Sequence, residues 1–402
     1  MQLPTQFTEQ MKNLLCGDEY DSFASALATQ SSPTSIRLNP RKADIPPFEG
    51  ATLVPWCPGG YYLPSRPSFT LDPLLHAGVY YVQEASSMYL SHIIRQAVQT
   101  PVLALDLCAA PGGKSTLLQA TLPEGTILIA NEIVHKRAQI LSENLCKWTD
   151  GTDSHVTVTN NAPSDFRKLG DRVFDLILCD VPCSGEGMFR KDPRAIEEWS
   201  PDNVRMCRDR QRDIVADVWE QLRPGGYMIY STCTYNTAEN EENVLWIADT
   251  LGADIVDTHP QPAWNIAGSL LPGAMIPCCR FLPHRIAGEG FFCALLRKHG
   301  DSSQFCLADQ KTLRKTLSKI ADKLYIISPD NPIDPLLPTI DVDCTTALSY
   351  LHGEALVLPP GTPRGEVTIT YLHHPLGRAK NIGPRANNLY PKQWRIRKQT
   401  LT

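Results

Sequence analysis

Short apolar runs alternate with longer amphipathic ones through the middle of the chain. An apolar run at 102–107 predicts a first strand, followed by a Gly-containing turn and a helix that starts at Lys114 and Ser115. A second strand at 126–131, a helix over 135–148, a third strand at 155–159 and a fourth at 173–180 follow. Over 207–222, Ile214, Val215, Val218, Trp219 and Leu222 fall on one helical face, and Pro224-Gly225-Gly226 ends that helix. A fifth strand at 227–232, a helix over 240–251 and a late strand at 291–297 complete the series. Strands alternating with helices over about 200 residues imply a doubly wound α/β sheet. Such sheets bind ligands beyond the C-terminal ends of their strands.

The flanks read differently. The first 78 residues mix polar and apolar positions with many prolines; 35–39 predicts a short strand, and 56–69 an irregular Gly/Pro-rich loop. Past 300 the alternation fades. Pro329, Pro332, Pro335 and Pro338 recur every third residue, which suggests an extended connector. The segment 353–371 is β-rich and leads into a basic end. Three regions result: 1–78, 79–300 and 301–402.

Composition adds constraints. The chain is 42% hydrophobic and 20% charged, an ordinary globular balance. Thirteen cysteines without a Cys-x-x-Cys pair suggest neither a zinc site nor a secreted disulfide frame. With no signal-like start and no run of the ~18 apolar residues a membrane span needs, a reducing cytoplasm is the expected setting. The net charge of −5 conceals an asymmetry: 364–402 holds eight Lys and Arg against one acid, Glu366. Tyr371, Tyr390 and Trp394 are interleaved there, favouring a phosphate-contacting surface over a solvated tail.

Chemistry gathers where the strands end. The first runs into Asp106-Leu107-Cys108-Ala109-Ala110-Pro111-Gly112-Gly113-Lys114-Ser115. A phosphate loop would need glycine where Cys108 stands, so Gly-Lys-Ser is not one. Gly112 and Gly113 still let a ligand approach the backbone. After the second strand, Glu132 can take both hydroxyls of a ribose. After the third, Asp165 can accept from an adenine amino group, with Asp153 and Asn160 as other candidates. The fourth delivers Asp180-Val181-Pro182-Cys183. Polar groups at four strand ends, without a triphosphate loop, imply a nucleoside ligand, and S-adenosyl-L-methionine fits.

The fifth strand ends in Ser231-Thr232-Cys233-Thr234, so two neighbouring strands each finish near a cysteine. A lone free cysteine is usually a small buried hydrophobe. Two beside a cofactor loop suggest covalent catalysis. C5 of cytosine is a poor nucleophile; thiolate addition at C6 makes C5 enamine-like and able to take a methyl group. An acid near N3 assists, a role for Asp180. A second thiol can assist release. In DNA cytosine methylation a Pro-Cys cysteine attacks; here that would be Cys183, leaving 231–234 without a task.

These motifs resemble the Nol1/Nop2/Sun family of RNA cytosine-5 methyltransferases. The resemblance rests on 106–115, Asn131-Glu132, 180–185 and 231–234, in order. Gln83-Glu84-Ala85-Ser86-Ser87-Met88 and Phe189-Arg190-Lys191-Asp192-Pro193 are similar to family segments too. The stretches 377–380 and 390–392 are similar to the PUA-like end of the bacterial RsmF-like subgroup. Residues 30–300 carry the match, the rest loosely. It implies a Rossmann-like class I methyltransferase fold, with a small α+β N-terminal RNA-binding module and a β-rich PUA-like C-terminal RNA-binding region. The family's cofactor loop falls on Cys108, Ala109, Ala110, Pro111, Gly112, Gly113 and Lys114, its ribose acid on Glu132, its adenine-side acid on Asp165 and its Asp-x-Pro-Cys acid on Asp180. Its nucleophile falls on Cys233, and Cys183 is implicated in release. Ser115 replaces the commoner threonine, and Val181 the commoner alanine. The resemblance implies 5-methylcytosine formation in small-subunit (16S) ribosomal RNA by a monomer that needs no metal or membrane. A flipped or single-stranded target base is expected, with the RNA held by shape and phosphates. A transfer-RNA cytosine-5 methyltransferase and a non-catalytic RNA-binding assembly factor are the competing readings.

Overall fold

A computed structural model describes residues 3–151, 155–300, 310–328 and 332–397. Helices Thr5–Leu14 and Asp18–Thr29 open the chain. A four-stranded antiparallel sheet follows, built from β1 (Thr34–Leu38), β2 (Thr52–Leu53), β3 (Gly60–Leu63) and β4 (Tyr80–Val82) in the order β2-β3-β1-β4. β3 lies inside the stretch that reads as loop. Its first residue, Gly60, packs closely, since a Cβ there would lie 2.8 Å from Met88 Sδ and 3.1 Å from the Cys57 carbonyl. β4 carries this sheet beyond the boundary at 78.

The central sheet takes five parallel strands: β5 (Leu103–Asp106), β6 (Ile127–Asn131), β7 (Val156–Thr159), β8 (Phe174–Asp180) and β9 (Leu222–Thr232). β10 (Ala253–Val256), β11 (Cys279–Phe281), β12 (Phe291–Lys298) and β13 (Ile326–Ile327) join it antiparallel. The order is β10-β12-β9-β8-β5-β6-β7-β13, with β11 on β12. β5, β6 and β8 are buried nearly throughout, as parallel strands covered on both faces must be. Strand order reverses between β5 and β8, which opens a crevice at their C-terminal ends.

The long helix is Pro201–Trp219, with the Ser200 side chain accepting from the Asn203 N–H as its cap. It stops at Trp219 rather than at 222. Leu222 already pairs with Phe174, so Pro224-Gly225-Gly226 lies at the irregular start of β9, where the register shifts. The 240–251 helix is Glu241–Trp246 followed by a π-helical turn, Ile247–Gly252.

Two connector elements escaped the sequence reading. Helix Gln310–Lys323 sends Ile320 into the core cluster that includes Phe166 and Leu169, and Leu324, just beyond it, joins them. β13 then pairs with β7. Of the four prolines, Pro329 lies outside the described residues. The C-terminal unit orders β14 (Thr339–Asp341), β15 (Gly365–Tyr371), β16 (His374–Asn381) and β17 (Ala386–Asn388) in sequence, with helix Cys344–His352 packed on β15. Its Tyr350, Leu351, Val367 and Trp394 share one core cluster with Ile36, Leu38 and Tyr80, so the two flanking units pack together. Tyr390 and Trp394 are therefore core residues, 2% and 6% exposed, and not stacking platforms for bases. The charges do face out: Lys380, Arg385, Lys392 and Arg397 are exposed, while Arg378 pairs with Glu366.

Candidate active site

The loop after β5 forms one wall of the crevice. Gly112 adopts φ +117° at the turn into helix Gly113–Thr121, a conformation that disfavours any side chain. A Cβ on Gly113 would press to 3.3 Å against the Tyr81 ring. Neighbours pin the loop: Arg137 donates to the Ala110 carbonyl (2.8 Å) and Asn144 to that of Pro111 (2.7 Å). Buried Arg37, from β1, donates to Gln83 Oε1 (2.9 Å) and Thr116 Oγ1 (2.6 Å) and lies 4.6 Å from the Trp148 ring. The N-terminal sheet thus braces the cofactor side, a role that strand 35–39 did not announce.

A cleft of about 170 Å³ opens here, lined by Tyr81, Gln83, Glu84, Cys108, Lys114 and Asp180 among others. A larger cavity, about 690 Å³, sits at the opposite ends of β6 and β7 around Thr126 and His155, away from both crevice cysteines. Beside the cleft, Asp106 accepts from Ser115 Oγ (2.6 Å) through one oxygen, while its other oxygen is buried without a partner. Burial pushes this carboxyl up to about 7, with the Ser115 hydrogen bond opposing and the Asp180 and Glu132 charges reinforcing the shift. At the end of β6, buried Glu132 accepts from the Val134 N–H (2.9 Å) and lies 3.3 Å from Arg137.

Across the switch point, the register Asp180↔Ser231 brings the β8 and β9 ends level. Asp180 is held from both sides, by Lys114 Nζ (2.7 Å) and Ser231 Oγ (2.8 Å). Burial opposes the Lys114 charge, but the Asp180 carboxylate outweighs it and the ammonium's pKa is raised. Beyond them, the sulfurs of Cys183 and Cys233 stand 3.2 Å apart, and the Cys233 N–H points to the Cys183 sulfur at 3.4 Å. Both are free thiols. The hydrogen bond with Cys233, reinforced by burial, raises Cys183 well above the usual thiol range and keeps it protonated at neutral pH. Burial does the same to Cys108, which lines the cleft as an inert thiol. The crevice therefore joins a nucleoside-sized approach, an acid–ammonium pair and two touching thiols. Removing the Ser231 hydroxyl should lower kcat about tenfold through a misplaced Asp180. Unchanged kcat in Ser231→Ala, with cofactor affinity also unchanged, would show that Lys114 alone holds the carboxylate.

The model of the 16S rRNA methyltransferase RsmB/F family matches residues 96–297, the span that carries the Cys108–Lys114 loop, Glu132, Asp180 and both crevice cysteines. The chain belongs to that family. Models of the RsmF N-terminal and PUA domains match 3–85 and 337–396. The chain is 30% identical to ribosomal RNA small subunit methyltransferase F of Serratia proteamaculans, over 97% of this chain and 96% of the relative. It is 35% identical to the Escherichia coli O127:H6 protein of that name over 73% of this chain, spanning 62% of that relative. NSun6 from Pyrococcus horikoshii, solved with the S-adenosylmethionine analogue SFG, shares the fold at TM-score 0.60 and 20% identity, over 74% of this chain and 99% of that one. As an RsmB/F member, the protein is an S-adenosylmethionine-dependent ribosomal RNA methyltransferase of the Nol1/Nop2/Sun type.

Within this RsmB/F site, Cys108 to Lys114, Glu132, Asp180, Cys183 and Cys233 all come to the C-terminal ends of the central strands. Asp165 is the exception. Its carboxylate caps a turn, accepting from the Ala162 N–H (2.9 Å) and from Lys168 (2.7 Å), which holds its pKa down. Each of its oxygens is thus engaged within its own turn. Asp153 lies outside the described residues. Asn160 is engaged too, donating to the carbonyls of Glu132 (2.7 Å) and Ile133 (3.0 Å). Asn161, which follows it, is held to Asn131 through its backbone N–H and carbonyl, and its side-chain amide donates to the Tyr325 carbonyl and accepts from the Tyr325 N–H (3.0 Å each). No described helix is long and apolar enough to cross a membrane.

Proposed function

We propose that this protein forms 5-methylcytosine in 16S ribosomal RNA through a covalent bond between Cys233 and C6 of the base. The observation that carries the proposal is the pair of sulfurs 3.2 Å apart beside the Lys114–Asp180 pair. Cys233 gives up its thiol proton and attacks C6, and the electrons of the C5=C6 bond move toward C5 and the N3 edge, which takes up a proton. The Lys114–Asp180 pair hydrogen-bonds and protonates that edge as charge builds there. Bound S-adenosylmethionine supplies the electrophilic methyl group. Once C5 is substituted, its proton leaves, the C6–sulfur bond breaks and the double bond is restored. Cys183, held protonated in contact with the Cys233 sulfur, gives its proton to the departing Cys233 thiolate, and the C5 proton passes to water.

The residues fit the cofactor. The Gly112-Gly113 turn gives a ligand close backbone access, and the unpartnered buried oxygen of Asp106 suits a cationic group such as an α-ammonium. Cys108 to Lys114 would cradle it, Glu132 would take the ribose hydroxyls, and Asp180 would close the methionine side.

The test is nucleoside mass spectrometry of 16S ribosomal RNA from a deletion strain, complemented with wild type or with Cys233→Ala. Wild type should restore 5-methylcytidine and the variant should not. Restoration of a different methylated nucleoside would overturn the cytosine-5 reading.

The RNA contacts the outward basic face of the C-terminal unit. Reversing Lys380 and Arg385 to Glu should weaken RNA binding and flatten its logarithmic salt dependence by about 0.7 per lost phosphate contact. An unchanged slope would assign those charges to solvation alone.

A further inference from the structure

Both thiols sit on loops, and loops alone do not hold two sulfurs in contact. Two carboxylates do so here, each rooted beside one cysteine and bonded to the backbone beside the other. Glu186, three residues after Cys183, accepts the N–H groups of Tyr235 (2.7 Å) and Asn236 (2.8 Å), just past Cys233. Its other oxygen accepts from Trp199 Nε1 (2.9 Å), Asn236 Nδ2 (3.2 Å) and Gln10 (3.3 Å), the last from the opening helix. Glu239, six residues after Cys233, accepts the N–H of Ser184 (3.0 Å), just past Cys183. It also accepts Gln211 Nε2 (2.7 Å), which in turn reaches the Pro182 carbonyl (2.9 Å) on the other side of Cys183. Asn236 Nδ2 closes the network on Glu239 (2.8 Å).

Both carboxylates are fully buried, and every donor to them named above is neutral. Burying an acid in such a setting is unfavourable unless several donors converge on it. Charge-assisted bonds to backbone N–H groups are stiffer than neutral ones. The arrangement spends two buried charges on the placement of two short loops, which packing alone would not require. Gly187 adds a fixed spacing: its N–H donates to the Cys233 carbonyl (2.8 Å), and a Cβ there would lie 2.7 Å from that oxygen.

We propose that Glu186 and Glu239 are crossed positioning residues: Glu186 aims Cys233 for attack, and Glu239 places Cys183 for release. This rests on the two-thiol reading of the site. It predicts opposite phenotypes, which a general structural role would not produce. In the full-length protein with 16S ribosomal RNA and S-adenosylmethionine, Glu186→Gln should lose covalent enzyme–RNA adduct and methylated product together, each about tenfold or more. Glu239→Gln should lose product while adduct accumulates on a denaturing gel. Gln211→Met, which leaves both carboxylates in place but frees the Pro182 carbonyl, should also accumulate adduct. Calorimetric affinity for S-adenosylhomocysteine should stay within about twofold of wild type in all three.

A parallel loss of adduct and product in Glu239→Gln and Gln211→Met would overturn the crossed assignment. If either Glu variant fails to fold, shown by lost S-adenosylhomocysteine binding, Gln211→Met decides alone. Cys183→Ala run alongside separates the two levels: no adduct there contradicts the two-thiol reading itself, and the proposal falls with its premise.

Discussion

Cys233→Ala abolishes methyl transfer from labelled S-adenosylmethionine to ribosomal RNA, a loss on the order of 10⁴-fold or more. The size follows from the chemistry. Without a nucleophile at C6, C5 never becomes electron-rich, and no other residue can replace the missing bond. Cys183 is the nearest sulfur, but burial and the Glu239 charge, both still present when Cys233 is replaced, raise its thiol above the usual range. Cys108, half-buried in the cleft wall, is raised likewise by desolvation. Affinity for S-adenosylhomocysteine should be unchanged, because the cofactor wall runs from Cys108 to Lys114 and Glu132, apart from the thiol. Retained turnover would remove Cys233 as the attacking group.

Cys183→Ala gives the opposite picture. Attack still occurs, so a covalent enzyme–RNA species forms, but the step that frees it is disabled. The adduct should survive denaturing electrophoresis as a band retarded by the mass of the RNA, and product release should fall by about two to four orders of magnitude, the range of proton-transfer catalysis. The 3.2 Å contact between the sulfurs makes this assignment, since the second thiol is poised beside the bond that must break. Normal turnover without a trapped species would leave Cys183 as a spacer only.

The central sheet was legible in the sequence because parallel strands buried on both faces must be largely apolar, and β5, β6 and β8 are, apart from Asp175 and the polar residues at their C-terminal ends. The chemistry was legible for a related reason. A doubly wound sheet delivers whatever follows its strands to one edge, so Asp106, Glu132, Asp180, Cys183 and Cys233 could be read as one site from their places in the chain alone. What stayed hidden depended on distant contacts. β3 is short and begins at a glycine, and helix Gln310–Lys323 is mostly polar in sequence, with Ile320 buried. Tyr390 and Trp394 looked like nucleic-acid platforms among the basic residues, but the flanking units need them as core. Asp165 had the right chemistry and the wrong neighbours: Lys168, one helical turn on, claims its carboxylate. Arg37, Glu186 and Glu239 were silent because a buried charge on a strand or loop acquires its meaning only from the groups folded around it.

The most direct test of a Cys233–C6 bond is to isolate the adduct that Cys183→Ala forms with 16S ribosomal RNA, digest it and map the modified peptide by mass spectrometry. The cross-linked nucleotide should be a cytidine methylated at C5, attached at Cys233. Attachment at Cys183 in the corresponding Cys233→Ala protein, or no covalent nucleotide in either, would contradict the mechanism.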